Sequence, residues 1–199
     1  FFMTITNPEV AALLNDPMFL SEGFASTINN GRLIRAMDAD TAYLFPMGSS
    51  VSILRYRAIE LTPQPGTSHV FGVGFNNYDA TVDSFPVINH DSTVCRINNL
   101  YYHKVDHIAG TTPVNLKMHY HLADGYFNQI AHWQDLPSIS WDTIGNNLET
   151  TLNYSAIEVN SVNDFTPNSF SFGLLTPKAP SIVGDTVVCE PEILWTYEA

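Results

Sequence analysis

Five apolar side chains in alternate positions, Val114, Leu116, Met118, Tyr120 and Leu122, are separated by Asn115, Lys117, His119 and His121. No other stretch of the chain is patterned so strictly. A period of two belongs to a strand that buries one face and wets the other; a helix would scatter these residues around its axis. Shorter runs repeat the theme at residues 52–61, 69–75, 93–97, 100–105, 129–133 and 154–159. Turn formers divide them, as in Thr62-Pro63-Gln64-Pro65-Gly66 and Asp124-Gly125. The order predicts an all-β fold, an antiparallel β-sandwich of jelly-roll or Ig-like type with extended N- and C-terminal segments.

The 199 residues suffice for one hydrophobic core with appendages. Three parts are expected: an N-terminal segment at 1–30, a strand or a short helix around Glu9 to Leu14 and a possible assembly element; a sandwich module at 31–176; and a linker with a C-terminal strand segment at 177–199. Phe1-Phe2-Met3-Thr4 lacks the positive start and long apolar stretch of a signal peptide, and the missing initiator Met leads to the expectation of a processed or partly visible mature chain.

Charged residues make up only 14% of the chain, against about 25% in ordinary soluble domains. The surface must therefore rest on hydroxyls and amides, on glycans, or on contact with neighbours. A net charge of −12, with eight Lys and Arg forming no run, argues against nucleic acid as a partner, since no basic stripe is offered to its phosphates, and disfavours an anionic membrane surface. No stretch approaches the roughly 20 apolar residues of a membrane helix, so membrane insertion is not expected either.

Histidine is the most tempting chemical signal. His103 with His107, and His119 with His121, have spacings that put both rings of each pair on one face of a strand. The matching Cys or carboxylate of a zinc site is missing apart from Asp106, and exposed strand histidines account for the pattern; no metal and no cofactor is expected. Asp124, Asp135 and Asp142 fall in one loop region, where turn chemistry already explains aspartate. Without a nucleophile elbow or a metalloprotease motif, no catalytic residue is assigned and the chain is not expected to be an enzyme. Trp133 and Trp141, with Tyr101, Tyr102, Tyr120 and Tyr126, could instead form a sugar-stacking platform, in which case the tryptophans would be exposed; a structural module would bury them. Cys95 and Cys189 allow one disulfide across a long loop.

Several landmarks occur in a fixed order: Gly31-Arg32-Leu33-Ile34-Arg35, Tyr43-Leu44-Phe45-Pro46-Met47-Gly48, Tyr56-Arg57, Asp124-Gly125, Ala131-His132-Trp133, Trp141 to Gly145, and Asp164-Phe165-Thr166-Pro167 with Phe170-Ser171-Phe172-Gly173. In this order they resemble a module of secreted surface proteins of Bacteroidetes-type bacteria, opened by G-x-L-x-R and Y-x-F-P-V-G and closed by F-S-P-F-T-F-G. Here Asn168 and Ser169 are interposed in the closing motif. Asn7-Pro8 through Gly23 resembles the segment that precedes that module, and Pro180 to Cys189 resembles the first strand of an Ig-like repeat. The resemblance implies an extracellular or cell-surface location. It also implies O-glycosylation at Asp-Ser/Thr triplets, with Thr41, Ser92, Thr143 and Thr186 as acceptors; ordinary turns favour the same pairs.

The expected function is mechanical: an extracellular structural subunit or module of a surface fibre, coat or adhesin, self-associating into a polymer or array by strand addition. Phe1, Phe2 and Ile5 at one end, with Val183, Val187, Ile193 and Trp195 at the other, are the candidate donors. The alternative is a glycan-binding β-sandwich module using Trp133 and Trp141.

Overall fold

The computed structural model describes residues 2–5, 24–27, 31–136, 139–145, 147–150 and 154–175. Sixteen strands follow in chain order: β1 (Phe2–Ile5), β2 (Ala25–Ser26), β3 (Arg32–Met37), β4 (Tyr43–Phe45), β5 (Met47–Ser49), β6 (Arg55–Tyr56), β7 (Ile59–Pro63), β8 (His69–Asn76), β9 (Val94–Ile97), β10 (Tyr102–Ala109), β11 (Val114–His121), β12 (Gln129–Gln134), β13 (Ser140–Gly145), β14 (Asn147–Thr150), β15 (Tyr154–Val162) and β16 (Ser169–Leu175). Among the described residues there is no α-helix, only two short 3-10 turns at Ala80–Asp83 and Leu122–Asp124.

The strands form an all-β sandwich of two large sheets and one small one. The larger sheet runs β1-β3-β8-β10-β16-β12-β13, with β9 also paired to β16; the facing sheet runs β14-β15-β11-β7-β4, and β2-β5-β6 form the third. The last two strands are interleaved, β16 between β10 and β12 and β15 between β11 and β14. Pairing in the two large sheets is antiparallel except at β1, which runs parallel to β3.

The alternation on β11 is realised residue by residue: Val114, Leu116, Met118 and Tyr120 are buried and the residues between them half-buried. They meet Phe71, Val73, Ile130, Ile157 and Phe172 in one apolar core between the sheets. A second core lies on the opposite face of the larger sheet, where Tyr102, Trp133 and Trp141 pack with Val94, Ile97 and Ala131 beneath Phe85 and Val87. Those two covering residues belong to the long connection between β8 and β9. The larger sheet is thus covered on both faces there, which is why β12 is buried on nearly every residue rather than on alternate ones.

One expectation is corrected, and the tryptophans are buried as a structural module requires and as a sugar-stacking platform does not. Residues 52–61 are not one strand: Val51, Ile53 and Leu54 form an exposed loop, and regular pairing starts only at Arg55. Trp133 and Trp141 are 2% and 0% exposed, because the β8–β9 connection folds over them. Their rings meet edge to face at 5.5 Å, and both indole N–H groups are used internally, Trp133 donating to Asp135 and Trp141 to the Phe85 carbonyl.

The second core yields a prediction. Trp141→Ala should lower the unfolding free energy by about 3–5 kcal/mol in urea titration, and should make the β8–β9 connection the first site of limited proteolysis.

Candidate functional site

The landmarks read from sequence are joined by buried cations. Alternation on β3 turns Leu33, Arg35 and Met37 inward. The Arg35 guanidinium, fully buried, lies over the rings of Tyr43 and Phe45, 4.9 and 5.6 Å from their centroids, and donates to the Leu44 carbonyl. G-x-L-x-R and Y-x-F therefore form one contact. The Arg35 Nε and Nη2 find no hydrogen-bond partner, and burial lowers the pKa to about 10.

Arg57, just before β7, and Asp124, at the end of the 3-10 turn after β11, form a bidentate pair with Nε···Oδ2 2.5 Å and Nη2···Oδ1 2.6 Å. Tyr101 Oη and the His121 backbone N–H donate to the same carboxylate at 2.9 and 3.2 Å. Burial opposes the Arg57 charge, yet the Asp124 hydrogen bonds and charge together with Tyr101 hold its pKa above the ordinary arginine value. Arg55 Nε stands 3.8 Å from Asp124 Oδ1, the oxygen that also accepts from Arg57 Nη2. From there the network runs outward: Arg55 donates to Asn77 Oδ1 at 2.6 Å, and Asn77 Nδ2 donates to the carbonyls of Val51 and Ile53 at 2.8 and 2.9 Å. Ser49 Oγ accepts from the Val51 N–H.

The result is an ordered loop whose aliphatic side chains stand in water. Val51, Ile53 and Leu54 are 63%, 57% and 70% exposed, while the backbone between them is tied to a buried ion pair. Ser52, at φ 67°, takes the left-handed conformation that this display requires. A loop that merely tolerated solvent would need no such anchor. Preorganised apolar side chains are what a contact surface uses, because little conformational entropy is left to lose on docking.

The histidines are placed otherwise than expected. Correcting the expectation of exposed strand rings, His103 is fully buried, and its Nε2 donates to the Arg57 carbonyl at 2.9 Å while Nδ1 has no partner. Burial lowers its pKa to about 4, so the ring is neutral. His107 pairs not with His103 but with His69, Nε2···Nδ1 3.0 Å, and stacks on Phe71 at 4.3 Å. His69 Nε2 lies 2.9 Å from Thr112 Oγ1 and 3.2 Å from Thr67 Oγ1, which joins the turn before β8 to the loop after β10. Gly110, at φ +104°, is required there, since a Cβ would lie 2.3 Å from His69 Nδ1. A shallow concavity of about 310 Å³ opens beside His69, lined also by Met37, Asp38, Ser68 and Ala109. His119 bonds to Glu60 at 2.5 Å, whereas His121 Nδ1 accepts from the Ala123 N–H, so their rings do not converge. Among the described residues no group of three or more His, Cys, Asp and Glu could hold a metal ion.

Of the three loop aspartates, Asp124 holds Arg57, Asp135 holds Trp133 and Asp142 accepts from the N–H of Thr143. Cys95 is disulfide-bonded; Cys189, the chain's only other cysteine, lies outside the described residues. Thr41 and Ser92 are exposed and Thr143 is half-buried on β13. Asp91, before Ser92, caps its own turn by accepting from the Thr93 N–H and hydroxyl. Phe2 and Ile5 lie in β1. Phe1, the Glu9 to Leu14 stretch, Val183, Thr186, Val187, Ile193 and Trp195 lie outside the described residues. The Arg55–Asn77 anchor escaped sequence reasoning; the spacing of Arg55 and Arg57 was visible, but not that both are buried.

No family model, curated protein or solved structure matches the chain.

Two outcomes follow from these interactions. Asp124→Asn leaves Arg57 buried without its counter-charge and should cost about 3–5 kcal/mol by urea titration. Burial depresses the pKa values of His69, His103, His107 and His132 below the ordinary 6.5. Between the two sets of values the unfolded chain binds more protons than the folded one, so this contribution is complete above pH 6.5 and is lost as pH falls toward 4. His103 alone should remove about 2 kcal/mol between pH 7.5 and 5, seen as a falling urea midpoint over that interval.

Proposed function

We propose that the protein is an extracellular structural module, a subunit of a surface fibre, coat or adhesin that associates with further copies by strand addition. The observation that supports association in this reading is the loop at residues 51–54, three aliphatic side chains held out in water by a hydrogen-bonded anchor in a chain of net charge −12. Exposed aliphatics recur at Val82, Ile88, Leu136 and Ile139. A charge-poor surface carrying ordered apolar loops gains by covering them, and repeated copies of one module are the simplest cover. The disulfide at Cys95 supports an oxidising compartment. The buried tryptophans remove the residues on which the glycan-platform reading stood.

Electron microscopy and sedimentation velocity on the same purified chain test the proposal. Filaments or concentration-dependent oligomers are expected, and Ile53→Ser with Leu54→Ser should weaken association at least tenfold with stability changed by no more than about 0.5 kcal/mol. A sharply monomeric chain at millimolar concentration would exclude a self-assembling subunit.

A further inference from the structure

One end of the inter-sheet core is closed by two crossovers that lie side by side. Residues 64–68 carry the chain from β7 in the facing sheet to β8 in the larger one, and residues 110–113 carry it back from β10 to β11. Because β7 pairs with β11 and β8 with β10, each crossover begins and ends beside the other. Side-chain hydrogen bonds join them through one ring, His69, whose Nδ1 meets His107 Nε2 at 3.0 Å and whose Nε2 meets the Thr112 hydroxyl at 2.9 Å.

The proton positions follow from the acceptors. The Ala109 backbone raises the His107 pKa through a hydrogen bond, as only a carbonyl acceptor does, so His107 donates to it. With Nε2 turned to His69, that N–H is on Nδ1 and Nε2 carries a lone pair. His69 Nδ1 is therefore the donor between the rings. The ring centres are 5.1 Å apart, close to the widest separation that a 3.0 Å contact between ring nitrogens allows, so the N–H and the lone pair face each other nearly in line. A metal ion held in line by both nitrogens would need them roughly 4 Å apart. The spacing is that of a shared proton. One further proton fits on His69 Nε2: the Thr112 hydroxyl can turn to accept it, and Thr67 Oγ1, which donates its own hydrogen to the Gln64 carbonyl, already offers a lone pair. A second has no place, since on His107 Nε2 it would set N–H against N–H.

We infer that His69 and His107 form a proton-operated latch, which holds the two crossovers closed over this end of the core and releases them when both rings are cationic. The charged groups around the pair are engaged elsewhere. On β3 and just after it, Arg35 is turned to Tyr43 and Phe45, and Asp38, at the rim of the concavity beside His69, accepts from the Tyr43 hydroxyl. On β10, Asp106 is bound to Arg32 and Asn168. Before β16, Phe165 meets His107 edge to face while Asp164 accepts from the Thr166 N–H. Neither crossover contains a titratable side chain. Burial lowers the pKa of both rings, and the charge on His69 lowers that of His107 further. The open form, with ordinary histidines, thus binds more protons than the closed one; closure is complete above about pH 6.5 and is lost as pH falls. Because opening takes up as many as two protons, its equilibrium constant rises by up to about a hundredfold per pH unit. The latch lies at the end of β8 away from Asn77 and the 51–54 loop, and works whether or not copies associate.

Hydrogen exchange by mass spectrometry on the whole chain between pH 7.5 and 4.5, corrected for the intrinsic pH dependence of amide exchange, tests the latch, with nitrogen NMR spectra of the imidazoles on the same samples. At pH 7.5 both rings should be protonated on Nδ1 and show a coupling across the N–H···N bond. By pH 4.5 the coupling should vanish, and residues 64–70 and 107–114 should lose protection at least tenfold more than Leu116 to Tyr120 of β11, which report global unfolding. In His107→Gln the amide can still bond to His69 but takes up no proton, and that excess loss should fall below about threefold. Crossovers that only keep pace with β11 as pH falls, or an equal excess in His107→Gln, would overturn the latch. So would a coupling that persists at pH 4.5 in the unaltered chain, a readout that decides the matter even where His107→Gln does not fold.

Discussion

The Arg57–Asp124 pair is the interaction on which the rest of the module depends. It joins the strand entering β7 to the turn leaving β11, 67 residues away, and buries both charges at one end of the sandwich. A buried carboxylate is tolerable only when its lone pairs are filled, and here four donors fill them: Arg57 Nε and Nη2, Tyr101 Oη and the His121 N–H. His103 in turn takes the Arg57 carbonyl. Each member constrains the next, so neither β7 nor the end of β11 can slip by a residue without stranding a charge. An apolar contact of equal area would resist such a slip far less, because it has no directional partners to lose.

The outer face of the larger sheet shows a related economy at β8. Gly72 and Gly74 occupy its outward positions, and the Arg32 side chain of β3 lies across them to reach Asp106 on β10. A Cβ on Gly74 would come within 2.8 Å of Arg32 Nη1. Asp106 also accepts from Asn168 before β16, so one carboxylate ties three parts of the sheet together. Polar side chains that look like candidate chemistry in the sequence are spent on cross-strand ties of this kind. The aromatic rings are spent likewise, His132 stacking on Phe170 at 4.2 Å and Tyr120 meeting Phe172 at 4.9 Å.

How far the sequence was legible follows from which forces are local. The β11 alternation was readable because one buried face imposes a period of two on neighbouring residues, and most of the shorter runs became strands for the same reason. Val51 and Ile53 carry the same period and yet, with Leu54, face water. Their direction is set by Asn77, more than twenty residues away, and periodicity alone cannot tell inward from outward. The second core was hidden because the residues covering it, Phe85 and Val87, lie in a connection with no periodicity of its own. The landmarks that carry the resemblance were visible as a list; that Arg35 belongs to Tyr43 and Phe45, and Arg57 to Asp124, is information only a fold contains.

Inside and outside are thus partly inverted in this molecule. Arginines and histidines are buried among aromatic rings with the side chain of Asp124, whereas valine, isoleucine and leucine stand on ordered loops. Burying the polar groups costs solvation that the hydrogen bonds only offset, so their effect is to fix one geometry more than to add stability. Exposing the aliphatic groups forgoes about 1.5–3 kcal/mol for each side chain left out of a core. The buried network serves the fold of a single copy; the exposed aliphatics do not. In the self-association proposed above, the buried network would keep the loop backbone from rearranging under contact, and the burial forgone in folding would be recovered at the interface. The same rigid end then serves two purposes, holding the sandwich in register and presenting its apolar loop in one conformation.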